Sequence, residues 1–263
     1  MELRARALNA FCLADPHEKV RAVLQLWQDQ SGLALDTGTT FTAPADYGHP
    51  PVPRLVAPHH VARRSPFTAE GHAALMHSIA HIEFNAINLA LDAVWRFSGM
   101  PERYYIDWLR VAAEEAKHFS LLQAHLQGLG FSYGDFDAHD GLWTMCENTR
   151  HDVVARMALV PRTMEARGLD ATPIIQAKLR RVATPDAVQA IAILDVILAE
   201  EVGHVAIGNQ WYHWLCGRQG IDPIDFYAQA AKQHGAPRLK PPFNILARRQ
   251  AGFTDTEIQA LPV

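Results

Sequence analysis

The pattern Glu-Glu-x-x-His occurs twice in this chain, as Glu114-Glu115-Ala116-Lys117-His118 and as Glu200-Glu201-Val202-Gly203-His204. At the Glu and His content of these 263 residues, one copy is expected by chance roughly 0.03 times and two copies on the order of 10⁻³ times. A spacing of three in an α-helix sets two side chains about 60° apart around the axis, one turn from each other. Glu115 and His118 then share an apolar stripe with Trp108, Val111 and Leu122, and Glu201 and His204 lie on the stripe Leu194, Leu198, Val205, Gly208. Carboxylates and imidazoles on a core face are costly unless paired or metal-bound. A chain that repeats such a cluster is constrained to long helices whose inner faces supply charge, either to a shared cation or to two buried Glu–His hydrogen-bonded pairs.

The remaining sequence supplies those helices. Residues 1–35 carry short helical periodicity in Val20, Val23, Leu24 and Trp27, with a stop at Ser31-Gly32. Pro44, Pro50, Pro51, Pro53, Pro58 and Pro66 forbid a regular helix over 36–66, which reads as an extended arm over the surface. Thr68 is placed to cap a helix reaching about Phe97, with the inward stripe Leu75, Ile79, Ile82, Ala86, Leu89 or Ala90, Ala93. After the turn Ser98-Gly99-Met100, Pro101 suits the first turn of a second helix running to about Gln127. A Gly- and Asp-rich connection, 128–141, leads to a third helix with a kink at Pro161 and an end at Gly168, followed by a short segment from Ile174 to Val182. Thr184-Pro185-Asp186 has the cap, first-turn proline and early acid of a fourth helix, reaching about Cys216 and stopped by Gly217. The predicted chain is all-α: one domain over 1–263, with N-terminal helices and arm over 1–66, a four-helix bundle over 67–217 and short C-terminal helices over 218–263.

Each motif has a solitary glutamate upstream, Glu83 before Glu115 and Glu165 before Glu201. At ~1.5 Å per residue, Glu83 and Glu115 both lie roughly 21–23 Å from the turn that joins their helices, hence at one level. Glu165 sits close to Pro161 and Gly168, and Glu147 is the reserve candidate on the same predicted helix.

One glutamate from each of two helices and Glu-x-x-His from each of two others is the arrangement of di-iron and di-manganese carboxylate bundles. On these motifs, and on the segment from Val160 to Asp170, the chain resembles the ferritin-like di-iron carboxylate superfamily, specifically a bacterial ferritin-like family of unknown function. More distantly it is similar to the bacterial tRNA hydroxylase that acts on a prenylated adenosine. The resemblance implies a ferritin-like four-helix bundle with one long crossover, and the metal ligands Glu83, Glu115, His118, Glu165, Glu201 and His204. It implies outer carboxylates at Glu114 and Glu200 that accept hydrogen bonds from metal-bound imidazoles; otherwise these two are solvated surface acids, since they lie ~100° off the ligand direction. Two Fe ions are the expected cofactor, with Mn or mixed Fe/Mn as the alternative.

The expected function is an O2-activating oxidoreductase, a hydroxylase or oxidase, on a small-molecule or RNA-nucleoside substrate; the alternative is iron storage, or a non-catalytic metal-binding bundle. The chain carries no CxxC pair, so a separate electron donor is expected. A net charge of −4 and pI near 6.4 exclude a globally basic nucleic-acid binder. No apolar run approaches the roughly 18 residues of a membrane span. Three scattered cysteines and a charged N-terminal stretch point to a reducing, cytoplasmic setting. The long extensions suit a monomer or dimer better than a cage. His77 and His81, four residues apart, have the spacing of a zinc pair but fit a surface or outer position better. His59-His60 read as packing or solvated residues, and the tryptophans 95, 108, 143, 211 and 214 as core packing, with an electron-transfer or pocket role as the alternative. Lys232, Arg238, Lys240, Arg248 and Arg249 form an acid-free basic stretch that reads as a solvated face or subunit contact, with a polyanion site as the alternative.

Overall fold

Helix signals dominate the sequence and the structure follows them. The computed structural model describes residues 2–44 and 48–262, so residues 45–47 of the predicted arm lie outside the described residues. Among these the regular structure is helical, and pairing between extended segments is limited to one isolated bridge, Leu55 with Ala138. The chain divides into two compact units, Met1–Gly141 and Leu142–Val263. No helix of the described residues is long and apolar enough to cross a membrane.

The first unit is built on a hairpin of two long helices. α1 (Leu3–Phe11) and α2 (Pro16–Asp29) pack against α3 (Ala69–Arg96) and α4 (Glu102–Gly128) respectively. Thr68 caps α3 by accepting a hydrogen bond from the Gly71 amide at 3.1 Å, and Glu70 and Arg96 complement the helix dipole at its two ends. Gly71 itself is required, because a Cβ there would stand 1.9 Å from the Ser65 carbonyl oxygen. The inward residues of α4 are buried as the period demands, with Trp108, Val111, Phe119, Leu122 and Leu126 fully enclosed. Ile82, expected inward on α3, is 48% exposed instead. The described residues of the proline-rich arm include a short 3-10 turn at Pro58–His60, and backbone bonds to Ala138 from either side of the bridge tie the arm down.

Two long cations hold this unit from inside. Arg4 is fully buried and donates to the carbonyls of Val94 and Trp95 at the end of α3, and to those of Asp36 and Thr39. It satisfies carbonyls that a helix C-terminus leaves without partners. Lys19 of α2 is also fully buried, with Nζ donating to the Phe11 and Gly48 carbonyls at 3.0 Å and to Asn88 Oδ1.

The second unit departs further from the expected pattern. The single predicted third helix is α5 (Gly141–Asn148), a break, α6 (Val153–Leu159), a π-helical segment (Val160–Glu165) and α7 (Ala166–Val182). Pro161 falls where the α ladder changes to π, because it lacks the N–H that an α turn would use. Gly168 does not stop the helix; the chain continues through it, and the expected separate segment from Ile174 is the end of α7. α8 (Pro185–Gln219) starts as predicted, with Thr184 accepting from Ala187 N at 3.2 Å. It runs past Gly217 and ends at Gly220, whose φ of 68° allows the left-handed C-cap. α7 and the π segment pack on α8, and α9 (Pro223–Gln233), α10 (Ile245–Gln250) and α11 (Asp255–Gln259) complete the unit.

Candidate metal centre

In the first unit Glu83 of α3 and Glu115 and His118 of α4 converge. One ligand atom from each lies within 4.8 Å of the others. His118 Nδ1 is 3.1 Å from Glu115 Oε2 and 3.4 Å from Glu83 Oε2. Glu115 and His118 are fully buried and Glu83 is nearly so. The equal depth predicted for Glu83 and Glu115 is therefore realised.

The electrostatics of this group call for positive charge. Burial, then the neighbouring Glu115 carboxylate, pushes the Glu83 carboxyl up to about 8. Burial alone would lower His118, but its bonds and attraction to Glu115 and Glu83 outweigh that and push the ring up to about 11. A proton thus stands on His118 where two carboxylates and one imidazole nitrogen converge. Glu83 Oε2 is buried and makes no hydrogen bond of good geometry, so it retains a lone pair for a cation. Carboxylate oxygens and an imidazole nitrogen in a dry interior form a donor set that could hold a divalent metal ion.

The second unit repeats the chemistry on α8. His204 is fully buried, and its Nδ1 lies 3.5 Å from Glu201 Oε1. Glu201 is 8% exposed, and its Oε2 is buried without a hydrogen bond. Glu165 closes the π segment and is buried at 7% exposure. That segment lies tightly on α8, since a Cβ at Gly208 would stand 2.5 Å from Pro161 Cβ and Cγ.

Other predicted residues fall elsewhere. Glu147, the reserve candidate, is partly exposed and pairs with Arg150 at 3.1 Å. Glu114 is half-buried, 4.0 Å from Arg110, and Glu200 is half-buried on α8. His81 is not on the surface: it is 4% exposed, and its ring bonds to Tyr133 Oη at 2.9 Å and Asn85 Nδ2 at 3.0 Å. His77 is fully buried and its Nε2 accepts from Gly134 N at 2.9 Å. Burial lowers the two rings to about 4 and about 3 respectively, so both are neutral and hold the 128–141 connection in place. The basic stretch is not uniformly solvated. Arg248 is fully buried and bonds bidentately to Asp170, whereas Arg249 is exposed beside Asp255.

These features define a helical protein with buried Glu/His groups able to hold metal. The chain belongs to the family described as "Protein of unknown function (DUF455)", which it matches over residues 12–259. It is 47% identical, over 95% of its own length and 90% of the relative's, to an "Uncharacterized protein" of Haemophilus influenzae (strain ATCC 51907 / DSM 11121 / KW20 / Rd). No solved structure matches it.

Proposed function

We propose that this chain is a ferritin-like protein binding two ions of iron, or of manganese, through Glu83, Glu115, His118, Glu165, Glu201 and His204, and that it is an O2-dependent oxidoreductase. The observation that carries the reading is the convergence of Glu83, Glu115 and His118 within 4.8 Å in a dry interior. Recurrence of the same residue types at the same spacing on α8 supports a second ion. Mixed carboxylate and imidazole ligands with open positions suit Fe(II). Two bound ferrous ions would supply electrons to dioxygen.

The chain's own residues have three tasks in this reading. His118 and Glu83 bind protons in the absence of metal and release them when a cation enters, so uptake strengthens as pH rises. Phe84 and Phe119, which directly follow Glu83 and His118 in the chain, cluster with Tyr133 at ring-centroid distances of 5.0–5.6 Å and add apolar surface to this unit. Helix backbones fix the spacing of the ligands. Electrons come from a separate donor, since the chain has no paired CxxC.

The test is metal content and the ultraviolet–visible spectrum of protein grown with iron, compared with Glu115→Ala and Glu201→Ala. About two Fe per chain, with an oxo-bridge absorption lost in both variants, is the expected result. Reductant-dependent O2 consumption by the iron-loaded protein supports the oxidoreductase, and its absence with iron bound leaves a metal carrier. Folded, metal-free protein unaffected by either substitution overturns the reading.

A further inference from the structure

The second unit contains a cavity of about 600 Å³ built from the π segment, α9, the turn that follows it, α10 and the chain beyond α11. Two buried guanidinium groups line it, Arg162 at 5% exposure and Arg248 fully enclosed. Phe253 braces both, its ring centroid 4.9 Å from Arg162 Cζ and 5.2 Å from Arg248 Cζ. Each arginine is only partly committed. Arg162 Nη2 donates to Glu257, while its Nε and Nη1 are buried with no hydrogen bond. Arg248 gives Nε and Nη2 to Asp170 and keeps Nη1 buried with no hydrogen bond.

Buried N–H donors without acceptors are costly, and guanidinium donors suit carboxylate or phosphate oxygens best. Glu257, the one acid on the wall, cannot serve them further. Its Oε1 accepts from Arg162 and His213, and its Oε2 from the amide and hydroxyl of Thr254. Lys232 and Arg238 stand exposed on the lining and add positive charge. Ile224, Leu239 and Leu261 supply apolar wall beside these cations. An apolar cavity with a few convergent donors is the form of a small-molecule site.

We propose that this cavity binds an amphiphilic organic oxyanion, a carboxylate or phosphate monoester whose head lies against Arg162 and Arg248 and whose apolar chain or ring lies along Ile224, Leu239 and Leu261. None of the six proposed metal ligands is among the residues that line this cavity.

The experiment is calorimetric titration of the full-length protein with octyl phosphate and octanoate, with octanol and inorganic phosphate as controls. Either anionic amphiphile binding at least about tenfold more tightly than both controls supports the proposal, and the preferred anion identifies the head group. Ala231→Trp fills the cavity without altering a charge, and should weaken that binding by about tenfold or more. Arg162→Gln should do the same. If that variant does not fold, Lys232→Ala with Arg238→Ala, both exposed, should still weaken the anions while leaving octanol unchanged. Octanol binding as tightly as the anions overturns recognition of the head. Inorganic phosphate matching octyl phosphate, with Ala231→Trp unaffected, overturns the cavity as the site. No binding of either amphiphile at millimolar concentration to the folded wild type overturns the proposal.

Discussion

Gly208 of α8 and Pro161 of the π segment meet so closely that a Cβ on Gly208 would stand 2.5 Å from two atoms of the proline ring. Neither side can give easily, because the ring is rigid and both lie in helical backbone. Gly208→Ala should therefore cost about 1–3 kcal/mol, the range for overpacking. A denaturant titration measures it. The displaced π segment carries Glu165, a proposed ligand, so metal content should fall as well.

Glu83→Gln separates metal binding from stability. Burial and the Glu115 charge raise the Glu83 pKa above its unfolded value, so ionising Glu83 destabilises the metal-free fold as pH rises from about 4.5 to about 8. The neutral amide avoids that loss. The metal-free variant should be at least as stable as the metal-free wild type at pH 8, yet hold less metal. A variant that loses stability at pH 8 while keeping its metal would contradict the ligand role.

Lys19 should leave a signature in the pH dependence of stability. Burial lowers its pKa from 10.5 to about 7, partly offset by Cys12. Between these values the unfolded chain holds a proton that the folded chain does not, so stability rises with pH across that window. The slope from one group is at most about 1.4 kcal/mol per pH unit. It vanishes below pH 7, where both states are protonated. Urea midpoints of wild type and Lys19→Met between pH 6 and 10 should diverge by this slope alone.

Glu257 acts in the opposite sense. Burial would raise its pKa, but the bond from His213, the charge of Arg162 and the Thr254 amide outweigh burial and hold it near 2. The stability it contributes is complete above about pH 4.5 and is lost as pH falls toward 2. Glu257→Gln should cost about 1.5–3 kcal/mol at neutral pH and flatten the acid limb of the unfolding curve.

Much of the first unit was legible in the sequence, and the reasons are local. Thr68 and Pro101 mark helix starts, the 3.6-residue period selects the buried face of α4, and a constant rise fixes Glu83 opposite Glu115. Ile82 misled because scattered apolar residues on a surface are ordinary. Arg4 and Lys19 were missed because their partners are backbone carbonyls far along the chain, which no periodicity encodes. Arg248 belongs to a basic run in the sequence, and the Asp170 carboxylate that pairs with it lies 78 positions away. Gly168 looked like a helix stop, yet a helix interior tolerates glycine at a cost of about 1 kcal/mol. Nothing local distinguished a kink at Pro161 from a π segment.

The π segment also fixes a count. A π turn takes one residue more than an α turn, so Val160–Glu165 absorbs an extra residue while the helix on either side keeps its facing. Ala166, Leu169, Thr172, Gln176 and Leu179, the buried residues of α7, thereby share one face. Were the segment to wind as α at its present length, each residue turning the chain by about 100°, all seventeen residues of α7 would swing off that face together.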